Sequence, residues 1–498
     1  MIKTALYTLE IALGSTIIAL LIGFPTAFFT SKRKFPLKKL LLSTKVIPLC
    51  VPSLIIALVY VCFFGMNGTL NNFLQKLFNL KNPPVKFLYT TAGIMIAQGF
   101  YNFPLITGII HDAWCNLPST QGNAARLLGA SEKRVFFTIT LKQLSGAIGA
   151  ACIPVFLFSF FSFMIAMLFS PSGKSTLEVD LYYAVRSTLD IKKGTLIAII
   201  ETTIALITVF IYSHISKKSQ TTSDGIDFSH QSATKFKSKS EVIIFLSLIF
   251  VILLFFFFPF FSIISSSVKE FSKVIFSKSF FTAIKNSIFV GFFTATFSTI
   301  LGFSYSLVVK FLKKQGSSIA QTIPLIPMAI SSIVIGWISN LIFKRGSVLM
   351  LVILQCMLFW PIAYRQIQNG INMITKDTDN AAKLLSKNKF DSIIRIYLPS
   401  CKKVLKTSFG FCFAASLGDA TLPLVLSIPR FNSLALYTYQ LASAYRFDQA
   451  CACGLILTVF CIFASFDFSF LHTKKTQFPR QSYRQSLKIV ILVPDTRI

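Results

Sequence analysis

The sequence predicts an all-α membrane protein with about 11 transmembrane helices, and its composition is the first observation that points there. Hydrophobic residues make up 54% of the 498 residues, charged residues only 13%, and 54 residues are phenylalanine. A soluble protein of this size carries about a quarter of its residues as charges, because its surface faces water. Lipid-facing side chains need no charge, so the chain belongs in a bilayer.

The apolar runs are the second observation. Crossing ~30 Å of hydrocarbon takes about 20 residues of helix at ~1.5 Å per residue. Eleven runs reach this length, approximately 5 to 29, 40 to 64, 88 to 110, 144 to 170, 194 to 215, 241 to 266, 282 to 309, 319 to 343, 347 to 369, 404 to 428 and 449 to 471. Basic residues follow the first run where a signal peptide would have a small-residue cleavage site, so we expect no cleaved signal peptide.

The charge distribution indicates the orientation in the membrane. The net charge is +31, and the 49 Lys and Arg lie mostly between the apolar runs. This distribution disfavours nucleic-acid binding and is typical of basic loops that are retained in the cytoplasm. One side of the predicted topology carries about twice as many Lys and Arg as the other. That side comprises residues 30 to 39, 111 to 143, 216 to 240, 310 to 316, 370 to 403 and the tail from His472. We therefore expect a multi-pass bacterial inner-membrane protein with a cytoplasmic C-terminus and an external N-terminus.

An internal repeat is the third observation. At an offset of 257 residues, Phe103-Pro104-Leu105 aligns with Trp360-Pro361-Ile362, and Asn123-Ala124-Ala125 aligns with Asn380-Ala381-Ala382. Upstream of these segments the offset lengthens by about 20 residues, as a loop insertion would produce. The collinear order of the matches predicts two parallel halves related by a pseudo-two-fold axis along the membrane normal. We predict a first half at 1–215, a cytoplasmic linker at 216–240, a second half at 241–475 and a basic tail at 476–498.

The first half is one span short. The run at 241 to 266 opens the second half and has no counterpart before Ala5. We expect either that this lineage lost the first helix or that the true start codon lies upstream.

Each half has one long cytoplasmic loop, at 117–143 and 374–400, with a shared pattern. The first loop has Asn123, Ala124, Ala125 and Gly129, followed by Ile139 and Leu141; the second has Asn380, Ala381, Ala382 and Ser386, followed by Ile396, Leu398 and Pro399. Small residues allow a helix to sit closely in a groove, and a glycine can end a helix with positive φ.

These loops resemble the EAA loops of ATP-binding-cassette (ABC) importer permeases, whose pattern is Glu-Ala-Ala, a Gly four residues on, and then Ile-x-Leu-Pro. Three positions depart from that pattern: Asn replaces Glu in both loops, Ser386 replaces Gly in the second loop, and Lys142 replaces Pro in the first. Within type I ABC importers the chain is most similar to the fused two-half permeases for iron(III) and thiamine, and among these to the thiamine permeases. That similarity rests on segments in both halves: Arg33-Lys34-Phe35-Pro36, Phe64-Gly65-Met66-Asn67-Gly68, Ser175 to Tyr182, Ser416-Leu417-Gly418-Asp419 and Leu436 to Leu441 leading to Ala444-Tyr445-Arg446.

The resemblance implies a transport subunit that is not itself an enzyme. The loops would bind a dimer of ATPase subunits, and a periplasmic or lipid-anchored binding protein would deliver the substrate. The chain has no Gly-x-x-x-x-Gly-Lys-Ser/Thr motif, so we expect it to bind no cofactor, with ATP and magnesium held by the partner ATPase. The substrate is expected to be thiamine or a phosphorylated form, with iron(III) as the alternative.

Six further residues are predicted to contact the binding protein and one to line the path. Leu177, Glu178, Tyr182, Leu434, Tyr439 and Arg446 lie in the external segments 171 to 193 and 429 to 447, for which ordinary connecting loops are the alternative. Asp419 lies in an apolar run, where an unpaired carboxylate costs roughly 2.5 to 3.5 kcal/mol, so it should face the interior. It would favour a cationic substrate such as thiamine, or it would pair with an arginine or a helix end. For Glu201 we favour a structural role.

Two other classes of protein are less compatible with the sequence. A polytopic membrane enzyme needs acids or a Ser/His or His/Glu constellation at the membrane face, whereas the four histidines here have no zinc-ligand spacing and the ten cysteines mostly fall in apolar runs. An ion-coupled secondary transporter would show intramembrane acids in both halves and would work without an ATPase.

Overall fold

The computed structural model describes residues 1–118, 120–220, 234–236, 238–268, 270–312, 320, 323–343, 345–374 and 376–465. Throughout these ranges the chain is built from helices, and none of the described residues forms a β-strand. The predicted all-α fold is confirmed.

The first half consists of long helices joined by shorter ones. They are α1 (Ile2–Lys32), α2 (Lys38–Ser43), α3 (Ile47–Cys50), α4 (Ser53–Phe64), α5 (Thr69–Phe78), α6 (Thr91–Cys115), α7 (Thr120–Leu127), α8 (Glu132–Val135), α9 (Leu141–Phe160), α10 (Phe163–Phe169), α11 (Leu177–Arg186) and α12 (Ile191–Gln220). The long helices α1, α6 and α9 pack against one another.

The second half follows the same order after one additional span, Lys239–Ser267, in which a π-helical turn at Leu253–Phe257 interrupts the α-helix. Its helices are α13 (Lys239–Ile252), α14 (Phe258–Ser267), α15 (Phe271–Ile275), α16 (Lys278–Phe311), α17 (Ser332–Phe343), α18 (Val348–Asn372), α19 (Lys376–Leu385), α20 (Lys389–Ser392), α21 (Leu398–Gly418), α22 (Thr421–Leu426), α23 (Leu434–Ser443) and α24 (Phe447–Ser465). Here α16, α18 and α21 pack against one another, as α1, α6 and α9 do in the first half.

The internal repeat is visible in the helix boundaries. Helices α6 and α18 each have 25 residues and begin 257 positions apart, at Thr91 and Val348. The same separation holds between the starts of α9 and α21 and between those of α11 and α23. It also relates two single-turn π-helices, Phe136–Thr140 and Ile393–Tyr397. The predicted offset of 257 is therefore confirmed in the backbone.

Helix α5 accounts for the longer offset upstream. Helices α4 and α17 begin at Ser53 and Ser332, 279 positions apart, so the offset shrinks by 22 before α6 begins. In the first half, α5 and its flanking chain join α4 to α6, whereas in the second half only residues 344–347 separate α17 from α18. The insertion expected from the sequence is this helix.

Equivalent glycines allow the long helices of each half to approach closely. A Cβ atom on Gly23 of α1 would lie 2.9 Å from Ile106 Cγ2 of α6, and one on Gly302 of α16 would lie 2.8 Å from the Tyr364 backbone nitrogen of α18. A larger residue at either position would force the two helices apart, because the obstacle is closely packed side chain or backbone. The two glycines, aligned by the repeat, therefore perform the same packing role.

Four predicted spans are not single helices. The runs 40 to 64, 144 to 170, 319 to 343 and 404 to 428 are interrupted at Val51–Pro52, Phe161–Ser162, Ile330–Ser331 and Asp419–Ala420. Proline explains the first break, since it has no N–H to donate and clashes with the preceding turn. Within the described ranges, nine helices are long and apolar enough to cross a membrane, and the 12-residue α17 falls short of that length.

The segment predicted as a linker includes two helix ends. Helix α12 continues to Gln220 and α13 begins at Lys239, so both helices enter the predicted range of 216–240. Thr234 lies beside the end of α1, where the Lys34 N–H donates to the Thr234 carbonyl over 3.0 Å. The predicted tail at 476–498 and residues 466–475 of the second half lie outside the described residues.

The additional span of the second half ties the halves together. Helix α14 packs against α4 of the first half and α24 of the second, and the Tyr60 hydroxyl of α4 donates to the Phe255 carbonyl over 2.7 Å. On α4 and α24 the Sγ atoms of Cys62 and Cys451 are 2.9 Å apart. Cys453, the closest cysteine to Cys451 in sequence, is therefore not the thiol that Cys451 contacts.

We predict that oxidation by copper-phenanthroline joins the halves through Cys62 and Cys451. The oxidant would remove two electrons and two protons from the thiol pair and close one S–S bond. After cleavage at a protease site inserted between 221 and 233, the oxidised halves should migrate as one species on a non-reducing gel and as two after reduction. Cys451→Ser should abolish the link, and the matched change Cys453→Ser should preserve it. Separate halves from the oxidised wild-type protein would contradict this packing.

Candidate functional site

A cavity of about 280 Å³ lies between the two halves. Residues at or beside all four helix breaks line it, together with one face of α6: these include Val51, Pro52, Ser162, Ser332 and Asp419. Broken helices expose polar backbone, which a membrane protein tolerates only inside the protein or against a water-filled space. The breaks therefore form the cavity rather than interrupting the lipid-facing surface.

A polar network in the second half surrounds Asp419. Its Oδ1 accepts from the backbone N–H groups of Thr421 and Leu422, over 3.0 and 3.2 Å, at the start of α22. Its Oδ2 accepts from Gln355 Nε2 over 3.1 Å. The Gln355 Oε1 in turn accepts from the hydroxyls of Thr294 and Ser416, over 3.2 and 2.5 Å. Every polar end of Gln355 is thus bonded.

Both expectations for Asp419 can be compared with this arrangement. The carboxylate is half-buried, it lines the cavity, and among the described residues no lysine or arginine pairs with it. It bonds to a helix end, as the alternative expectation states, and backbone N–H groups there favour a negative charge. Asp419 therefore caps α22 and is also the single carboxylate among the residues lining the cavity.

The first half repeats the network without a carboxylate. Gln98 is the counterpart of Gln355, and its Oε1 accepts from the Ser15 hydroxyl over 2.8 Å, as Gln355 accepts from Thr294. Ser162 stands where the second half has Asp419, 257 positions later. The Nε2 of Gln98 and the Oγ of Ser162 are buried without a hydrogen-bond partner among the described residues. The two walls of the cavity therefore differ in charge and in hydrogen bonding.

The first long loop is a short helix closed by a glycine turn. Gly129 has φ of +83° after the end of α7, so the expectation that a glycine ends this helix with positive φ is confirmed. Arg126 donates to Asn123 Oδ1 over 3.0 Å and forms a 2.9 Å ion pair with Glu132 of α8. These bonds fold the loop on itself. Of the other predicted residues, Ala124 is exposed, and Ala125, Ile139 and Leu141 are partly buried.

The second long loop is anchored to α16. The Tyr397 hydroxyl donates to Asp379, whose carboxylate is 3.0 Å from Lys310 Nζ, and Lys310 also lies 4.5 Å above the Tyr397 ring. Burial, together with the bond to Asp379, raises the pKa of Tyr397 above its usual value. The residues predicted in this loop have the following places: Asn380, Ala381 and Ala382 are in α19, Ser386 follows it, Ile396 is in the π-helix, and Leu398 and Pro399 open α21.

Both loops expose large apolar side chains at equivalent positions. Leu127 is 90% exposed and its counterpart Leu384 is 85% exposed; Phe137 and its counterpart Ile394 are 62% and 47% exposed. Large apolar side chains that gather on a solvent-facing loop mark a site of interaction with another protein. The sequence analysis did not single out these four residues, although the 257-residue offset pairs them.

The external segments are held by the long helices. The Leu177 N–H at the start of α11 donates to the Thr8 hydroxyl over 2.9 Å, and the equivalent Leu434 N–H of α23 donates to the Ser287 hydroxyl over 2.7 Å. Leu177, Glu178 and Leu434 are buried, and Glu178 faces Glu201 inside the bundle. These three side chains therefore pack within the protein and are not available for contact with a docked partner, in contrast to the prediction for them.

The other predicted docking residues differ in accessibility. Tyr182 is half-buried, with its ring 5.1 Å from that of Phe163, and Tyr439 is 8% exposed, with its hydroxyl on Met167 of the first half. Arg446 is exposed. The neighbouring Tyr183 and Tyr445 are 46% and 83% exposed, and Leu189 and Ile191 of the first segment are exposed as well.

Comparison with known proteins identifies the family of this chain. The model of the binding-protein-dependent transport system inner membrane component matches residues 19–220 and again 287–474. A thiamine transport system permease protein of Brucella abortus is 23% identical over 490 residues, covering 92% of this chain and 86% of its own length. A 2-aminoethylphosphonate transport system permease protein of Salmonella choleraesuis is 27% identical over 201 residues, covering 40% of this chain and 70% of its own.

Among solved structures, one similar chain belongs to a bacterial alginate ABC transporter in complex with an alginate pentasaccharide-bound periplasmic protein. Its TM-score is 0.41 and its sequence identity 17%, and the match covers 47% of this chain and 95% of that one. The family match, in contrast, extends over most of the residues in both halves. This chain therefore belongs to the family of multi-pass inner-membrane permease components of binding-protein-dependent ABC importers.

Proposed function

We propose that the chain forms the membrane path of an importer for a small organic cation, with thiamine or a phosphorylated form as the substrate. The observation that carries this proposal is the similarity to a thiamine permease over 92% of the chain, through both halves. The cavity supports a cation, since Asp419 supplies its one carboxylate and aromatic rings of Tyr101, Phe158 and Phe359 lie around it.

Iron(III), the alternative substrate, is less compatible with this cavity. A hard trivalent ion is held by several anionic oxygens, whereas the lining residues offer a single carboxylate that already caps a helix. The family also disfavours the other two classes, because its members are components of binding-protein-dependent transport systems rather than membrane enzymes or ion-coupled transporters.

The paired loops are proposed to receive the ATPase dimer in the cytoplasm. The repeat supports this proposal, because two equivalent subunits need two equivalent surfaces, and Leu127 and Leu384 provide matching exposed anchors. Closure of the ATPase dimer around ATP and magnesium would move the two halves relative to each other and open the cavity to alternate sides. With these loops in the cytoplasm, the C-terminus would be cytoplasmic and the N-terminus external.

The opposite surface is proposed to receive the substrate-binding protein. The segments that contain α11 and α23 are at equivalent positions in the two halves, and their exposed residues Tyr183, Tyr445 and Arg446 could contact a partner. Leu177, Glu178 and Leu434, which are buried, would support this surface from below.

Charged residues at the two loop anchors should release the ATPase. We predict that Leu127→Glu combined with Leu384→Glu lowers the amount of co-purified ATPase about ten-fold or more. A ten-fold loss of binding corresponds to roughly 1.4 kcal/mol, and the free-energy cost of burying two carboxylates at an interface exceeds this value. Leu189→Glu is the matched control, as Leu189 is 73% exposed but lies outside both loops. Undiminished co-purification with the double variant would refute docking at these loops.

Removing the cavity charge should weaken uptake without unfolding the protein. In Asp419→Asn the amide oxygen can still accept from Thr421 and Leu422, and a flip of Gln355 restores the remaining bond. We expect the concentration of thiamine at half-maximal uptake to rise about ten-fold, since a hydrogen-bonded ionic contact contributes roughly 1.5 to 3 kcal/mol. Unchanged uptake and substrate affinity would remove Asp419 from the path.

Photo-crosslinking should locate the docking surface. The photoreactive residue p-benzoylphenylalanine at Tyr183 or Tyr445 should capture the binding protein upon irradiation of transport-competent complexes, since both side chains are exposed. The same residue at Phe137, which is exposed on the opposite loop, should capture the ATPase instead. Active complexes without a cross-link from either tyrosine position would place the docking surface elsewhere.

A further inference from the structure

The wall of the cavity formed by the first half carries three polar atoms that have no partner. They are Gln98 Nε2, Asn102 Oδ1 and Ser162 Oγ, and none of them has a hydrogen-bond partner within the described part of the chain. The residues are 1%, 1% and 8% exposed, and all three line the cavity. An unpaired buried polar atom is costly and rare in folded proteins, so three in one wall require an explanation.

The fold itself does not demand unpaired atoms at these places. In the equivalent network of the second half, Gln355 Nε2 donates to Asp419. Ser416, the counterpart of Ser159, donates to Gln355 there, whereas Ser159 accepts from Asn102 over 3.4 Å. The same backbone can therefore pair this network completely. The open bonds of the first half come from its own side chains, Asn102 and Ser162, which replace Phe359 and Asp419.

The three atoms are arranged for one ligand. Gln98 and Asn102 are four residues apart in α6, which places their side chains on the same face of the helix, and Ser162 lies at the break between α9 and α10. Together they offer an amide donor, an amide acceptor and a hydroxyl that can do either. The Tyr101 hydroxyl is already bonded to the carbonyls of Pro48 and Val51 and is not counted among these groups.

We infer that Gln98, Asn102 and Ser162 form the hydrogen-bonding wall of a substrate site in which Asp419 forms the charged wall. The site takes a small organic cation with one polar, uncharged end that both donates and accepts hydrogen bonds, and it holds that end against the first half. The cationic end faces the second half. This inference rests on the proposed import function. It adds the orientation of the bound substrate and the residues that determine this orientation.

The test compares two substrates in cells that express the complete transporter and lack other thiamine uptake. Thiamine is compared with oxythiamine, which carries a keto oxygen in place of the amino group on the uncharged ring. The variants are Asn102→Leu and Ser162→Ala. The matched control is Thr107→Val, because Thr107 is also buried in α6 but bonds to Phe103 and Gly23, away from the cavity.

Wild-type protein should import thiamine in preference to oxythiamine, and Asn102→Leu should reduce that preference about ten-fold or more. Ser162→Ala should raise the half-saturating concentration of thiamine. Both variants should co-purify with the ATPase as wild type does, and Thr107→Val should keep the preference. A wild-type preference that survives in Asn102→Leu, or a wild-type protein that imports both compounds equally, would overturn the inference. A wild-type protein that binds the ATPase and imports no thiamine would instead overturn the proposed substrate, and this inference with it.

Discussion

The structure depends on one constraint, that every backbone polar group inside a membrane protein needs a hydrogen-bond partner. Long helices meet it by themselves, and most of this chain consists of such helices. The four breaks at Val51–Pro52, Phe161–Ser162, Ile330–Ser331 and Asp419–Ala420 do not. At three of them side chains supply partners, as Tyr101 does for Val51, Ser331 for Val334 and Asp419 for the start of α22. Polar groups therefore gather at the breaks, and there the cavity forms.

Duplication places these breaks opposite one another. Pro52 and Ser331 are equivalent at the longer offset, and Ser162 and Asp419 at 257, so each half contributes one pair. The halves meet closely here, since a Cβ on Gly418 would lie 2.6 Å from Pro52 Cγ. A relative movement of the halves would therefore change the cavity directly. The repeat also provides two loops with matching exposed leucines, as a symmetric ATPase dimer would require.

Sequence reasoning predicted the features that depend on composition and on order along the chain. Hydropathy predicted the helices, and collinear matches predicted the two halves and their offset. The breaks were missed because hydropathy averages over about 20 residues and is blind to a local change in backbone direction; Pro52 was a usable signal for the first of them. The polar wall of the first half was missed as well, although Gln98 and Gln355 stand in apolar runs at the 257-residue offset.

The docking prediction shows a different limit. Leu177 and Leu434 recur at equivalent positions because both begin a short helix that packs on α1 or α16, so their recurrence reflects packing rather than contact with a partner. Repetition in sequence cannot separate these two causes, whereas burial does. The exposed leucines of the long loops show the opposite case, since recurrence there accompanies exposure.

The most direct test of this account is to locate bound thiamine by cryo-electron microscopy of the complete transporter, trapped with ATP in a hydrolysis-deficient ATPase. The account predicts ligand density inside the cavity bounded by the four breaks, with the cationic ring towards Asp419 and the amino-bearing ring towards Asn102. Thiamine density elsewhere in the membrane region, with this cavity empty, would contradict it.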